Sequence, residues 1–156
     1  MSRDTSQLHK NHALFHATLA LNLIQLPPSA ARTWYINLAL RGITYEVSKI
    51  DKLKPKVSTS QRSEMEKARL FMRPMPRGAL DHSIPISVFS IDFRENYESY
   101  TPETLVDRGR RYATIVHITK EEDKKLRKAG LVKTMPKDWD GIDVYARYKA
   151  VDIEIE

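Results

Sequence analysis

Apolar and polar side chains alternate along much of the chain with a period of two residues, which is typical of β-strands. In residues 14–26 the odd positions from Phe15 to Leu23 are apolar, and the polar residues His16, Thr18 and Asn22 intervene, so we expect a strand there, with a helix as the rival interpretation. Residues 33–40 and 43–50 alternate again around Arg41-Gly42, as the two strands of a hairpin do. The first third of the chain is therefore predicted to be β-structure.

Three later stretches are predicted to be strands as well. Residues 84–93 switch their apolar parity between Val88 and Phe89, as a β-bulge would produce. Residues 112–118 form a short apolar run of the kind found in strands. Residues 142–156 alternate up to the last position, which predicts a final strand.

Signals for helices are fewer and more local. Residues 60–72 place apolar side chains at helical spacing, and Thr101 followed by a proline is typical of a helix start. Residues 119–130 form the clearest helix, because Thr119 and Glu122 make a capping box. Acids fill its first turn, bases fill its last turn and a glycine ends it.

Predicted strands outnumber predicted helices in this pattern. We therefore predict one domain over residues 1–156 of the α+β, β-rich class, with a mostly antiparallel sheet of about five or six strands and two or three short helices. A length of 156 residues suits a single domain. Residues 1–12 are expected to form a flexible N-terminus, and residues 51–60 a basic internal linker or loop.

Composition limits the chemistry that is open to the chain. Hydrophobic residues at 41% and charged residues at 29% are typical of a folded, soluble protein. The absence of cysteine excludes disulfides, thiolate nucleophiles and cysteine-ligated metals, and it suits a reducing compartment. No run resembles a signal peptide or approaches the roughly 20 apolar residues of a membrane span. We expect an intracellular, soluble protein, located in the cytoplasm or, for a viral protein, in the host cell or virion.

Charge is distributed unevenly along the chain. Residues 1–80 contain 13 Lys/Arg and 5 Asp/Glu, a net charge of +8, whereas residues 81–156 contain 13 and 15, a net charge of −2. Residues 49–77 alone contain nine bases and three acids, a net charge of +6. Such a concentration of positive charge attracts polyanions, for example nucleic acid, an anionic membrane or an acidic protein surface. The alternative is a solvated loop whose charge serves solubility.

The bases of this window, together with a second cluster of arginines, are the candidate binding residues. Contact with phosphates is expected to be independent of sequence, because no RNA-recognition, KH, zinc-finger or helix-turn-helix signature is present. Reversing the charges of Lys52, Lys54 and Lys56 is expected to remove most binding. The nominated residues are Lys49, Lys52, Lys54, Lys56, Arg62, Lys67, Arg69, Arg73, Arg77, Arg108, Arg110 and Arg111.

No catalytic residue, metal ligand or cofactor is nominated from the sequence. His9, His12 and His16 have the spacing of a metal site on a helix, but a strand after His12 would separate His9 from the other two. The tripeptide Asp81–Ser83 contains the three side-chain types of a hydrolase triad, but neighbours in sequence cannot form the relay.

The sequence therefore predicts a small, basic, non-enzymatic protein that binds a polyanion, preferably nucleic acid, without sequence specificity. One alternative is a structural or assembly protein of the virion matrix or coat type, in which the positive loop of one copy meets the acidic C-terminal end of the next. Homo-oligomers that depend on concentration would favour this alternative, and light scattering at two ionic strengths would test for them. A second alternative is an enzyme whose site is assembled from distant residues. The sequence leaves open whether the ligand is DNA, RNA, an acidic protein or an anionic membrane.

Overall fold

The computed structural model describes residues 5–156, which contain seven α-helices and a three-stranded sheet. The helices are α1 (Ser6–Leu23), α2 (Ala30–Ile50), α3 (Thr59–Leu70), α4 (Ile86–Asn96), α5 (Pro102–Gly109), α6 (Lys120–Lys128) and α7 (Ala146–Lys149). The strands are β1 (Lys56–Val57), β2 (Ala79–His82) and β3 (Ile115–Ile118). Short 3-10 turns cover Tyr97–Ser99 and Arg110–Tyr112.

The chain divides into two compact units. Unit 1 consists of Met1–Leu53 and Ile86–Ala113, and unit 2 consists of Lys54–Pro85 and Thr114–Glu156. The prediction of a single domain stays a prediction. Part of the predicted flexible N-terminus, residues 1–4, lies outside the described residues, and helix α1 begins at Ser6.

The predicted β-rich sheet of five or six strands is wrong, because the described chain is mainly helical and its sheet has three short strands. The stretch at residues 14–26 belongs largely to α1, which was the rival interpretation. The buried side chains of α1 are Ala13, Ala17 and Ala20, which have helical spacing. Bulky residues that produced the alternation, such as Phe15, are exposed. Small alanines therefore determine the buried face of this helix.

The predicted hairpin over residues 33–50 is also wrong, because α2 runs through it without a turn. The helix starts after two prolines, where Ser29 accepts a hydrogen bond from the backbone N–H of Arg32 at 3.0 Å. Gly42 lies inside the helix, where a Cβ atom would come within 2.6 Å of the ring of His16. The glycine that suggested a turn is therefore a point of close approach between two helices.

Residues 84–93, predicted to be a strand with a bulge, are mostly helix α4. The buried side chains of this helix include Ile86, Phe89 and Phe93, at spacings of three and four. The switch of parity that suggested a bulge is therefore the 3.6-residue period of a helix. Phe89 stacks on Tyr112 with ring centroids 4.2 Å apart, which adds a specific aromatic contact to the core of unit 1.

The predicted C-terminal strand over residues 142–156 is wrong as well. This stretch contains helix α7, and one isolated bridge pairs Ser58 with Ile155. The backbone N–H of Thr59 also donates to the carbonyl of Glu154 at 3.0 Å. Only the last few residues are extended, and they lie beside the segment at Ser58. The residues before them form α7 and the turn that follows it.

Elements with strong local signals form where they were predicted: helices α3, α5 and α6 and strand β3. Thr101 caps α5 by accepting a hydrogen bond from the backbone N–H of Thr104. Thr119 and Glu122 form the expected capping box of α6, and Gly130 follows its end with a φ of 72°. These signals depend on a few neighbouring residues, so tertiary contacts do not overrule them.

Unit 1 is built from helices. Helices α1 and α2 form an antiparallel hairpin, α5 packs on both of them, and α4 packs on α2. Fully buried side chains include Ile36, Leu40 and Ile43 of α2 and Leu105 of α5. This core leaves the opposite side of the hairpin uncovered by other elements of the same unit, as the exposed side chains described below indicate.

Unit 2 combines the sheet with helices α3, α6 and α7. The strand order is β1-β3-β2, with β1 parallel and β2 antiparallel to β3, and α3 packs on β3. The core side chains of this unit are Val116, Ile118, Leu126, Tyr148 and Ile153. Helix α3 lies between β1 and β2 in the sequence, so it carries the chain from one edge of the sheet to the other.

The guanidinium of Arg147 is buried inside unit 2. It donates to the carbonyl oxygens of Ser83 at 3.0 Å and Leu131 at 2.8 Å, and it pairs with the carboxylate of Asp81. The hydroxyl of Tyr148 donates to the same carboxylate at 2.8 Å, and burial raises the pKa of this phenol. Because a buried charge needs partners for its donors, this cluster connects the end of β2 to α7.

Candidate polyanion-binding surface

The structure divides the nominated basic residues between the two units. Unit 1 contains Lys49, Lys52, Arg108, Arg110 and Arg111. Unit 2 contains Lys54, Lys56, Arg62, Lys67, Arg69, Arg73 and Arg77. Residues that were nominated as one set therefore belong to two groups, and each group has its own surroundings.

Two arginines of unit 1 are engaged in ion pairs. Arg108 donates to Asp92 at 2.7 Å, and this hydrogen bond raises the pKa of Arg108 above its ordinary range. Arg110 donates to Asp51 at 3.0 Å and to Asp107 at 2.8 Å. Their charges are balanced by neighbouring carboxylates, so they offer less to an external anion than the sequence indicated.

The other nominated residues of unit 1 differ in their surroundings. The ammonium of Lys49 lies 5.2 Å from the centre of the Tyr45 ring, a cation–π contact at the end of α2. Lys52 is exposed and adopts a φ of 52° in the turn that ends this helix. Arg111 is half-buried in the 3-10 turn after α5.

In unit 2, the start of α3 is held by a network of side-chain hydrogen bonds. Ser58 accepts from the backbone N–H of Gln61 at 3.1 Å and donates to Glu122 at 2.6 Å. The same Glu122 oxygen accepts from the backbone N–H of Thr119 at 2.8 Å. The caps of α3 and α6 therefore share one buried carboxylate, which sets the direction in which α3 leaves the sheet.

The bases before and at the start of α3 are less uniform than the sequence suggested. Lys54 and Lys56 are exposed, and within residues 5–156 their side chains form no ion pair or hydrogen bond. Arg62 pairs with Glu156, so its charge is partly balanced by the acidic end of the same chain.

The part of unit 2 that best combines exposure and charge is the α3–β2 segment, defined as residues 67–80. It contains no Asp or Glu. Its basic residues are Lys67, Arg69, Arg73 and Arg77, and its exposed large apolar residues are Leu70, Phe71, Met72, Met75 and Leu80. Met72 is 95% exposed and Phe71 is 61% exposed, so the apolar side chains project into solvent.

The backbone at the end of α3 explains this projection. The N–H of Met72 donates to the carbonyl of Arg69 at 3.2 Å, and the N–H of Arg73 donates to that of Ala68 at 2.8 Å. This is a Schellman motif, whose left-handed position is usually glycine. Gly130 occupies that position after α6, whereas Met72 occupies it after α3 with a φ of 50°. A side chain in this conformation is strained and points away from the helix.

The arginines of the α3–β2 segment have free donors. Within the described part of the chain, Arg69, Arg73 and Arg77 form no ion pair and no side-chain hydrogen bond. The guanidinium of Arg73 lies 5.4 Å from the centre of the Phe71 ring, so a flat cation and a flat ring are exposed together. A guanidinium with free donors can form bidentate hydrogen bonds with phosphate oxygens.

The far end of the segment is anchored on the sheet at Gly78. A Cβ atom at this position would come within 2.1 Å of the carbonyl oxygen of Ile118 and 2.6 Å of the side-chain oxygen of Gln61. Only glycine allows such a close approach between the segment and β3. The segment is therefore fixed at both ends, and its exposed tip lies between the cap of α3 and Gly78.

The three histidines that resembled a metal site lie on α1, and the strand that was expected to separate them is absent from it. His9 is 2.6 Å from Glu46 and His12 is 3.5 Å from it. Burial lowers the pKa of His16, an effect that Glu46 opposes and His12 increases. Within residues 5–156 no group of three or more ligating side chains is arranged to hold a metal ion.

The stretch Asp81–Ser83 contributes one side chain and backbone carbonyls to the buried cluster of unit 2. The carboxylate of Asp81 accepts hydrogen bonds from Arg147 and from the hydroxyl of Tyr148, so it is committed to the buried cluster. The carbonyl of Ser83 accepts from the same guanidinium. Asp81 and the backbone of Ser83 are therefore part of the cluster that connects β2 to α7.

Sequence reasoning missed the exposed apolar side chains of the α3–β2 segment. Leu70 and Phe71 were assigned to one side of the predicted helix, but both are exposed at its end. A signal was present: the run from Lys67 to Leu80 lacks acids and contains two prolines, which is unusual for a stretch that packs in a core.

Comparison with known proteins identifies no relative: no protein-family model, no curated protein and no solved structure matches the chain. Among residues 5–156, no helix has the length and apolar character needed to cross a bilayer. The chemistry of the exposed surfaces is therefore the basis on which a function can be assigned.

Proposed function

We propose that unit 2 binds nucleic acid without sequence preference, with the α3–β2 segment as the contact surface and unpaired strands as the preferred form. The observation that supports this most directly is an acid-free run with three arginines whose donors are free within the described residues, beside an exposed aromatic ring. Phosphate contacts supply affinity, and rings supply stacking for unpaired bases.

The charge of the segment suits a phosphate backbone. Arg69, Arg73 and Arg77 are spaced along the end of α3 and the loop that follows it, so they can contact successive phosphates. Lys54 and Lys56 add positive charge just before α3 in the same unit. Since the arginines offer planar donors and the lysines offer point charges, the arginines are expected to contribute more to binding.

The apolar side chains favour unpaired strands over duplexes. Phe71 is exposed and carries the Arg73 guanidinium, an arrangement on which a base can stack. A duplex hides the faces of its bases, so it would use the arginines alone. We therefore expect tighter binding of single-stranded than of double-stranded DNA or RNA of equal length.

The alternative of head-to-tail assembly has less support. The acidic C-terminal end was expected to meet the basic region of a second copy, but Glu156 pairs with Arg62 of the same chain. The backbone N–H of Glu156 also donates to Val57 of the same chain at 3.1 Å. An intracellular, reducing compartment remains our proposal for location, since the chain contains no cysteine.

The test is the variant Arg69→Gln/Arg73→Gln/Arg77→Gln in anisotropy titrations of a labelled oligothymidine over a range of salt concentrations. Wild-type affinity should fall steeply with salt, because bound arginines displace counterions. The variant should bind weakly, and its plot of log affinity against log salt should be shallower by about 2, since each single-strand phosphate contributes roughly 0.7.

A matched control removes three exposed lysines elsewhere in unit 2: Lys125→Gln/Lys128→Gln/Lys137→Gln. Its net charge equals that of the arginine variant, so a general charge effect would weaken both equally. Equal losses in the two variants, or an absence of binding by the wild-type protein, would contradict the proposal.

A further inference from the structure

The α1–α2 hairpin of unit 1 exposes large apolar side chains along both of its helices. On α1 these are Leu8, Phe15 and Leu19, and on α2 they are Trp34, Tyr35, Leu38 and Tyr45. Phe15 is 65% exposed and Trp34 is 57% exposed. Exposed apolar residues that occur singly need no explanation, but a contiguous patch indicates an interaction site.

The spacing of these residues places them on one side of the hairpin. Leu8, Phe15 and Leu19 are separated by seven and four residues, and Trp34, Leu38 and Tyr45 by four and seven. On each helix this stripe lies opposite the buried stripe, which contains the three alanines of α1. We call the side that carries both stripes the hairpin face.

The two stripes flank the line along which the helices touch. The ring of His16 packs over Gly42, and His9 and His12 contact Glu46. These contacts fix the rotation of each helix about its axis, so the two stripes are neighbours and do not point apart. The hairpin face is therefore two helices wide.

The hairpin face carries positive charge and no exposed acid. Helix α1 contains no Asp or Glu, and the single acid of α2 is Glu46. Glu46 is buried and is contacted by His9 and His12. The exposed charged residues of the two helices are all basic. Two of them, Arg41 and Lys49, lie beside the stripe of α2, because they follow Leu38 by three residues and Tyr45 by four.

We propose that the hairpin face lies on membrane surfaces that contain anionic lipids, with Trp34, Tyr35 and Tyr45 at the level of the headgroups. Trp and Tyr concentrate at membrane–water interfaces, and leucine and phenylalanine side chains enter the acyl boundary beneath them. The basic side chains add attraction to the negative surface potential of anionic lipids. The protein binds at the surface and does not span the bilayer.

Charge and composition favour this occupant over the others. A second copy would bring two acid-free, basic faces together, and like charges oppose such pairing. Nucleic acid would use the three aromatic side chains of α2 but would gain little from Leu8, Leu19 and Leu38, which have no ring for stacking. An anionic membrane uses the rings, the aliphatic side chains and the cations together.

The experiment measures binding of the full chain to vesicles of phosphatidylcholine alone and of phosphatidylcholine with about one-third phosphatidylserine. Sedimentation with vesicles gives the bound fraction of the wild-type protein. In a Trp139→Phe background the remaining tryptophan is Trp34, whose emission should shift to shorter wavelength on anionic vesicles. We expect binding to anionic vesicles that weakens with salt, and little binding to neutral ones.

The deciding variant is Phe15→Ser/Leu38→Ser, which removes one apolar side chain from each helix of the hairpin face. Both residues are exposed, so the fold should persist, and partitioning should fall by at least about tenfold because two apolar groups no longer leave water. The matched control is Leu70→Ser/Phe71→Ser in the α3–β2 segment of unit 2, which should bind vesicles like the wild type.

Four results would overturn the proposal. They are no binding to anionic vesicles, equal binding to neutral vesicles, an equal loss in both double variants, and sedimentation that Phe15→Ser/Leu38→Ser does not change. Self-association without lipid that this variant abolishes would assign the hairpin face to a second copy. Loss of nucleic-acid binding in the same variant, with vesicle binding intact, would assign it to nucleic acid.

Discussion

The hairpin face of unit 1 and the α3–β2 segment of unit 2 contain the same types of side chain. They differ in the proportion of apolar to basic residues and in the backbone structure that carries them. Both combine exposed apolar side chains with basic ones and lack exposed acids. The hairpin face has seven large apolar side chains spread over two long helices, whereas the segment has five apolar and four basic side chains within residues 67–80. The first is mainly apolar, whereas the second has nearly as many basic as apolar side chains.

The difference in balance has a physical consequence for the ligand. A mainly apolar surface gains free energy when its side chains leave water. It therefore suits a membrane, whose interior accepts apolar side chains. A surface in which arginines with free donors lie among the apolar side chains also gains from contact with fixed negative charges, so it suits phosphates. Positive charge in the sequence alone does not distinguish these two situations, because the exposure of the apolar neighbours decides between them.

Removal of the buried guanidinium of unit 2 should have the largest effect. Replacing Arg147 by methionine leaves three backbone carbonyls, those of Ser83, His82 and Leu131, without their donor and removes the charged partner of Asp81. Breaking such a buried pair costs about 3–5 kcal/mol. Urea unfolding followed by Trp139 emission, in a Trp34→Phe background, measures this loss. Nucleic-acid binding should fall with it, since the segment leads into β2.

Arg127→Met is the matched control for this prediction. Arg127 pairs with Asp123 on the exposed side of α6, and exposed ion pairs contribute about 0–1 kcal/mol. If the two substitutions destabilise the protein equally, the buried cluster of Arg147 does not support unit 2 as described.

A methyl group at Gly42 should disturb the hairpin face next most strongly. Its Cβ would come within 2.6 Å of the His16 ring, and overpacking of this kind typically costs about 1–3 kcal/mol. The double variant Gly42→Ala/His16→Ala should recover most of that loss, because the ring is then absent. Thermal unfolding of the two single variants and the double variant gives the coupling energy, and additive effects would contradict the packing.

The left-handed position after α3 should respond in the opposite direction. Met72→Gly relieves the strain of a side chain at a φ of 50° and should stabilise unit 2 by up to about 1 kcal/mol. It also removes an exposed apolar side chain, so oligothymidine binding should weaken by a few fold. Gly130→Ala, at the equivalent position after α6, should destabilise the protein and leave binding unchanged.

The smallest effect that we expect is a dependence of stability on pH through His16. Because burial lowers its pKa, His16 accepts a proton more readily in the unfolded chain. The stabilisation is complete above the ordinary pKa of about 6.5 and declines as the pH falls below it. Unfolding midpoints of the wild type and of His16→Gln between neutral and mildly acidic pH measure this effect, and identical pH profiles would refute it.

The sequence predicted those elements that short-range chemistry determines. The capping residues Thr101 and Thr119 mark the starts of α5 and α6, and an apolar run marks β3. The prediction from sequence was wrong for α1 and α2. In these helices apolar residues occur on more than one side, and they produce an alternation with a period of two by coincidence. The buried positions of α1 are alanines. Their small side chains contribute little to a hydrophobic pattern, which is set mainly by bulky residues.

The candidate site was predicted in part. The basic residues of the α3–β2 segment could be nominated by counting charges, but their freedom from ion pairs could not. Arg108 and Arg110 appear equivalent to Arg73 in the sequence, yet carboxylates from distant positions neutralise them. Ion pairs between residues that are far apart in the sequence depend on the tertiary fold. Local sequence patterns do not predict them.

The exposed position of Met72 also makes the α3–β2 segment sensitive to oxidants. Met72 is 95% exposed, so its thioether is readily converted to the sulfoxide, which replaces an apolar, flexible group by a polar one. Met75, in the same segment, is exposed too, and the chain has no cysteine thiol that could react in their place. Peroxide would therefore alter the surface that we assign to nucleic acid, and methionine sulfoxide reductases could restore it.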